Sequence, residues 1–186
     1  MNEKRSTKNE QDIIARLRDN NTKEAAFSAI VKLYSEQLYW HIRRMVYSHD
    51  DTNDLLQNTF IKAWNSIDTF RGESQISTWL YRIAINETLT FLGKKQNNTI
   101  SIDSNEGEAA YDLESDTNFC GDKADLLFQK AISQLPKKQQ LVFNMKYFQD
   151  IKYEEMSQIL DTSVGALKAS YHLAVKKIEQ FLQDND

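Results

Sequence analysis

The chain has 186 residues, a formal charge of −4, and only one proline, five glycines and one cysteine. So few helix breakers exclude a turn-rich sheet protein and predict an all-α fold of long helices with short connections. Cys120 excludes an internal disulfide and, with no Cys or His beside it, offers no metal site, while the absence of an apolar run near the roughly 20 residues that span a bilayer excludes membrane insertion.

The first element is a short helical pattern at Ile13, Ile14 and Leu17, behind a polar start that lacks the layout of a secretory signal, so a soluble, cytoplasmic protein is expected. Over residues 22–48, Phe27, Ile30, Val31, Tyr34, Leu38, Ile42, Met45 and Val46 recur at three- and four-residue spacings, which predicts a long amphipathic helix. After a break at 49–53, Leu56, Phe60, Ala63, Trp64 and Ile67 share one face of a second helix, with Asp54, Gln57, Asn58, Lys62 and Asn65 turned outward. Residues 71–74 read as a loop. From Ser77, Leu80, Ile83, Ala84, Leu89 and Leu92 resume helical spacing up to Lys95, where a first domain (1–95) is expected to end.

Residues 96–122 carry seven acids, no base and no sustained periodicity, so they are read as a flexible acidic linker. The rest of the chain then carries +3, a weak footprint for nucleic acid that implies a partner supplying much of any DNA affinity. The second domain (123–186) is predicted to hold helices over 123–134, 137–148, 153–160 and 164–182, with Pro136 suited to open the second. The helix at 153–160, the Asp161-Thr162-Ser163 turn and the long helix after it have the layout of a helix-turn-helix. Burial of Val164, Leu167, Tyr171, Ala174, Ile178 and Phe181 would turn Gly165, Lys168, Ala169, His172 and Lys176 to solvent. Ser163 can cap this helix, whose dipole favours an anion, and Lys168 and Lys176 can neutralise phosphate. A plain antiparallel helix pair with a solvated lysine face fits the spacing equally well.

Longer strings carry a resemblance. Asp54-Leu55-Leu56-Gln57-Asn58-Thr59-Phe60 with Ala63-Trp64, and Phe70-Arg71-Gly72-Glu73-Ser74 with Thr78-Trp79-Leu80-Tyr81-Arg82-Ile83-Ala84, are followed by Leu135-Pro136, Gln139-Gln140, Tyr153-Glu154-Glu155 and Ser163-Val164-Gly165 with Lys168. In this order they resemble the extracytoplasmic-function (ECF) class of the sigma-70 family, over nearly the whole chain. The resemblance implies an RNA polymerase sigma factor with core polymerase and promoter DNA as partners and no cofactor, metal or catalytic residue. Anti-sigma factors typically regulate the family, though some members are controlled by synthesis alone. By resemblance Asp54, Gln57 and Asn58 would hydrogen-bond a basic helical hairpin of the largest polymerase subunit. The loop from Phe70 through Arg71 and Ser74 would accept a flipped base of the minus-ten element beside Arg82 and Asn86, since promoter opening requires capture of unpaired bases. Ser163, Gly165, Lys168, His172 and Lys176 would meet the minus-thirty-five element, and the linker would thread the polymerase's RNA channel.

The chain departs from the family in carrying Asn58 where an acid is common, and Ser170, Leu173 and Val175 where bases are common in the recognition helix. Fewer arginines for bidentate guanine contacts imply that Lys168, His172 and the helix N-terminus do more positioning, with shape part of the readout. A free-standing helix-turn-helix regulator is the competing reading and would bind DNA specifically without polymerase; a helical adaptor that binds only protein is a third.

Overall fold

The structure is a computed structural model that describes residues 12–70, 72, 74–99 and 123–185. Arg71, Glu73 and residues 100–122 of the acidic segment lie outside the described residues.

The first domain begins with α1 (residues 12–17), which buries Ile13 and Leu17. Helix α2, Lys23–Val46, buries Ala26, Ile30, Leu38, Ile42, Met45 and Val46 at helical spacing and ends on Tyr47, whose left-handed backbone (φ 61°) breaks it. Helix α3, His49–Ser66, starts on Ser48, whose hydroxyl accepts the Asp51 N–H at 3.3 Å, and Asp50 and Asp51 sit at the positive end of the helix dipole. A 3-10 turn, Ile67–Thr69, leads into the loop before α4, Ile76–Thr99. Helices α2, α3 and α4 pack on one another. Phe27 meets Phe60 and Trp64 edge-on, with ring centroids 6.5 and 5.0 Å apart, so Trp64 is an anchor of the core. Three buried threonines donate their hydroxyls to the carbonyl one turn back: Thr52 to Ser48 (2.6 Å), Thr59 to Leu55 (2.7 Å) and Thr88 to Ala84 (2.8 Å). Their polar atoms are thereby satisfied locally where the helices meet.

In α4 the buried face differs from the expected one. Leu89 is 37% exposed, and the buried stripe is Ile76, Leu80, Tyr81, Ala84, Ile85 and Thr88. The reason is a second cover: α4 packs on α2 and α3 and also against the second domain, so Tyr81 and Ile85 are enclosed as well.

The second domain comprises α5 (Lys123–Ser133), α6 (Lys137–Tyr147), α7 (Tyr153–Leu160) and α8 (Val164–Asp184). Pro136 stands at the N-cap of α6, where its missing N–H leaves no orphan donor. Phe143 stacks on Tyr147 and Tyr171 (5.1 and 5.7 Å) within a core that includes Ile132, Leu135, Ala174 and Ile178. Helix α6 is buried continuously from Gln140 to Met145 because one side faces this core and the other faces α2. Leu141, Val142 and Met145, with Met156 and Ile159 of α7, extend the first domain's apolar cluster into the second. Between the domains lies an open cavity of about 430 Å³, lined by Trp40, Arg44, Tyr81, Phe148, Gln149 and Ile151 among others. No helix among the described residues is long and apolar enough to cross a membrane.

Candidate functional site

Three exposed faces gather the residues singled out in the sequence. On α3 the core takes Leu55, Thr59 and Ala63, which leaves Asp54, Gln57 and Asn58 exposed on the opposite flank. Ile61 lies seven positions after Asp54 on the same flank and is 50% exposed. Periodicity alone could have found it: an isoleucine among outward positions is the signal. Lys95 to Asp51 (3.5 Å) and Lys62 to Glu87 are ion pairs joining α3 to α4, so the flank is held on a braced helix.

The second face surrounds the loop before α4. Phe70 and Trp79 pack at 5.0 Å between centroids, tilted by 38°, which fastens the loop to the first turns of α4. Gly72 between them has φ +76°, a backbone that a side chain would strain. Ser74 is half-buried, and Arg82 and Asn86 are exposed one turn apart on α4. They differ in partners. The Arg82 guanidinium donates a hydrogen bond to the Gln158 carbonyl of α7, whereas the Asn86 backbone carbonyl accepts from the Thr90 hydroxyl at 2.7 Å within α4. Arg71, the remaining residue expected here, lies outside the described residues.

The third face belongs to α7 and α8. Asp161 closes α7 in a left-handed conformation (φ 49°), and Ser163 opens α8 by accepting the Ala166 N–H at 3.3 Å. With Leu167, Ala174 and Ile178 buried, Gly165, Lys168, Ala169, His172 and Lys176 are all exposed, as their spacing predicts. Lys168 Nζ and Lys146 Nζ each stand 5.7 Å from the centre of the Tyr153 ring, and Lys146 also pairs with Asp150 at 2.5 Å. Periodicity did not connect Tyr153 or Lys146 with α8, because they come from other helices. Leu173, at 47% exposure, adds an apolar residue to this surface.

Comparison with known proteins assigns the class. Residues 30–98 match Sigma-70 region 2, and residues 125–178 match Sigma-70, region 4. The chain is 30% identical over 169 residues to the ECF RNA polymerase sigma factor SigW of Bacillus subtilis, covering 86% of this chain and 90% of that one. It is 29% identical over 183 residues to the ECF RNA polymerase sigma-E factor of Haemophilus influenzae, covering 94% and 95%. The fold is also that of CnrH in complex with the cytosolic domain of CnrY (TM-score 0.71, 19% identity, 95% of this chain and 99% of that chain). A second neighbour is the sigma factor RpoE in complex with the anti-sigma factor NepR from Bartonella quintana (TM-score 0.67, 21% identity, 84% and 96%). Two helical units of these kinds, in this order, define a sigma-type initiation factor. The chain belongs to the ECF class of the sigma-70 family, and its function is to direct RNA polymerase to promoters.

Proposed function

We propose that the chain performs this function through three separate faces and contributes no catalytic group of its own. The first domain (1–95) docks core polymerase through Asp54, Gln57 and Asn58 and reads the minus-ten element through Phe70, Arg71, Ser74, Arg82 and Asn86. The second (123–186) positions the minus-thirty-five element on Ser163, Gly165, Lys168, His172 and Lys176. The acidic segment (96–122) joins them and enters the polymerase channel, where its charge resembles that of a transcript. The observation that carries this division is exposure: Asp54, Gln57 and Asn58 on α3, Arg82 and Asn86 on α4, and Ser163, Gly165, Lys168, His172 and Lys176 at and along α8 are all exposed.

Ile61 joins the polymerase face in this proposal. An apolar side chain among Asp54, Gln57 and Asn58 supplies buried contact area, while the polar neighbours set register against a basic hairpin. The protein acts in the cytoplasm, with core polymerase and promoter DNA as partners; an anti-sigma protein is the kind of regulator typical of the family.

Run-off transcription on fragmented genomic DNA from the source organism, with its core polymerase and with or without the purified protein, tests the assignment. New transcripts that share upstream elements are expected. Asp54→Lys with Ile61→Ala should abolish them by lowering affinity for core polymerase at least about tenfold, as loss of a central anchor does. Unchanged affinity in that double variant would remove the α3 flank from the assignment.

A further inference from the structure

Residues 68–72 lead from the 3-10 turn into the loop before α4, and side chains from three other places in the first domain meet them. Lys23 Nζ, at the first residue of α2, pairs with Asp68 Oδ1 at 2.6 Å. Trp79 of α4 packs on Phe70 with 5.0 Å between ring centroids. At Gly72 a Cβ would lie 3.9 Å from Ile14 Cδ1 of α1, an ordinary van der Waals distance, so Ile14 stands directly beside the glycine. Two of these three supports, on either side of Phe70, come from α1 and the start of α2.

Those two elements are themselves firmly held. A helix as short as α1 is not stable alone, and it is ordered here by Ile13 and Leu17, both buried in the core of the first domain. The turn after it is tied by the Thr22 hydroxyl, which donates to the Arg16 carbonyl at 2.8 Å, and by the Lys23 N–H, which donates to the Asp19 carbonyl at 2.8 Å. Lys23 Nζ also stands 5.2 Å from the centre of the Trp64 ring, and its side chain is 17% exposed against 76% for Asp68. The cation is thus the fixed partner of the pair and the carboxylate the one being tethered.

The supports matter because the loop entry is not seated on solid core. Between α1 and the 3-10 turn lies an open pocket of about 230 Å³, lined by Ile14, Leu17, Arg18, Ile67, Asp68 and Phe70. Backbone beside such a gap lacks packing partners on that side and can sink into it. Ile14 and Lys23 bridge the gap at its two ends. Gly72, with φ +76°, adopts a bend that a side chain would strain, so the shape of the loop depends on what stands against it.

We propose that α1 and the turn after it form a positioning element for minus-ten recognition, in which Ile14 holds the loop at Gly72 and Lys23 holds its entry at Asp68, in the shape that receives an unpaired base. The proposal rests on the assignment of that loop given above. Both are positioning residues: Ile14 is a half-buried apolar side chain against the loop, and the charge of Lys23 is engaged by Asp68, so each acts through the loop and not on DNA. A loop held in its bound shape has less ordering left to do when the strand arrives, and that difference appears as affinity.

The test uses holoenzyme assembled from the full chain and core polymerase. Its probes are a single-stranded oligonucleotide with the nontemplate minus-ten sequence of promoters recovered by run-off transcription, and a duplex minus-thirty-five fragment; affinity for core polymerase is measured alongside. Ile14→Ala removes the atom that reaches Gly72 and should weaken binding of the oligonucleotide about fivefold. Lys23→Gln should weaken it about threefold, since the pair it breaks is partly exposed. Both variants should keep wild-type affinity for the duplex fragment and for core polymerase, and Ile14→Met, which restores the reach of the side chain, should recover most of the loss. A folding defect in Ile14→Ala would lower all three affinities together, and Lys23→Gln, which keeps a good helix former at the start of α2, then decides. Wild-type affinity for the oligonucleotide in both variants overturns the proposal, as does an equal loss on all three ligands in both. Asn86→Ala separates the two assignments: if it loses the oligonucleotide while Ile14→Ala and Lys23→Gln retain it, the positioning role falls and the reading of the loop stands. If wild-type holoenzyme does not bind the oligonucleotide at all, the reading of the loop falls and the positioning role with it.

Discussion

The two proposed reading faces differ in chemistry and in what the folded chain leaves accessible. In the first domain Phe70 packs on Trp79 at the start of the helix that carries Asn86, an amide that can match a base edge, and Arg82, which is held by the Gln158 carbonyl of the other domain. In the second, Lys168, His172 and Lys176 are turned to solvent around the capped start of α8, with Leu173 and no arginine among them. Cations without a bidentate fork anchor phosphate but discriminate bases poorly, whereas an amide, with a donor and an acceptor side by side, can match a base edge. Sequence choice should thus be concentrated in the first domain and affinity in the second.

Alanine at Asn86 is the largest test of that contrast. Run-off transcripts should fall roughly 10- to 100-fold, the equivalent of about 1–3 kcal/mol for a lost base contact. Affinity for core polymerase should not change, since Asn86 and the α3 flank are on different surfaces. Lys168→Ala should instead weaken all promoters similarly and reduce the slope of log affinity against log salt by about one. Promoter-selective loss at Lys168, with uniform loss at Asn86, would reverse the assignment of the two faces.

Much of this arrangement is legible in the sequence. A single-stripe helix such as α3 or α8 reveals its outward residues through periodicity, and Gly165, Lys168, Ala169, His172 and Lys176 are exposed as spacing predicts. Helices covered on two sides defeat the same method. Spacing turns Leu89 inward and leaves Tyr81 and Ile85 out of the core, because the second cover over α4 comes from a distant part of the chain. The hydrogen bonds between the domains are hidden for a related reason: Gln140, Asn144 and Gln149, which reach Tyr47, Arg44 and Gln37, have the composition of a solvated surface, and two of their acceptors are backbone carbonyls that no side-chain pattern encodes. One clue was available. Leu141, Val142, Phe143 and Met145 are too many apolar neighbours for one stripe, and a helix apolar on several sides is covered on several sides.

A smaller effect concerns the contact between the domains. His41 is enclosed where α2 meets Gln149 of the second domain, and burial pushes its pKa down from 6.5 to about 4, with the nearby Arg44 acting in the same direction and the Gln149 hydrogen bond partly opposing. The packed arrangement therefore favours neutral His41. Its preference is complete above about pH 6.5 and is lost progressively as pH falls toward 4, because the opened imidazole takes up a proton more readily. The Tyr81 ring, 5.3 Å away, has its hydroxyl pushed up to about 12 by burial, so it stays neutral over this range. Energy transfer between dyes at Asn65→Cys and Glu179→Cys, in full-length protein with Cys120→Ser, should fall from pH 7.5 to 5, by at most roughly 30-fold in the packed-to-parted ratio if His41 is fully released. His41→Gln should flatten the profile. A profile of unchanged steepness in that variant would place the pH response elsewhere.

The smallest effect separates holding a helix from holding DNA. Ser48 and Ser163 cap α3 and α8 identically, each accepting an N–H three residues ahead at 3.3 Å. Alanine at either position should cost about 1 kcal/mol of stability. In a chain of this length that is a fall in Tm of roughly 2–4 °C. Aspartate can cap as well as serine, so Ser48→Asp and Ser163→Asp should both retain the wild-type Tm. Their transcripts should diverge: a carboxylate at Ser163 would repel the phosphate proposed to sit at the start of α8, while one at Ser48 lies on the other domain, away from the proposed minus-thirty-five contacts. Equal transcript yields from the two aspartate variants would mean that Ser163 only caps its helix and that the phosphate contact begins further along, at Lys168.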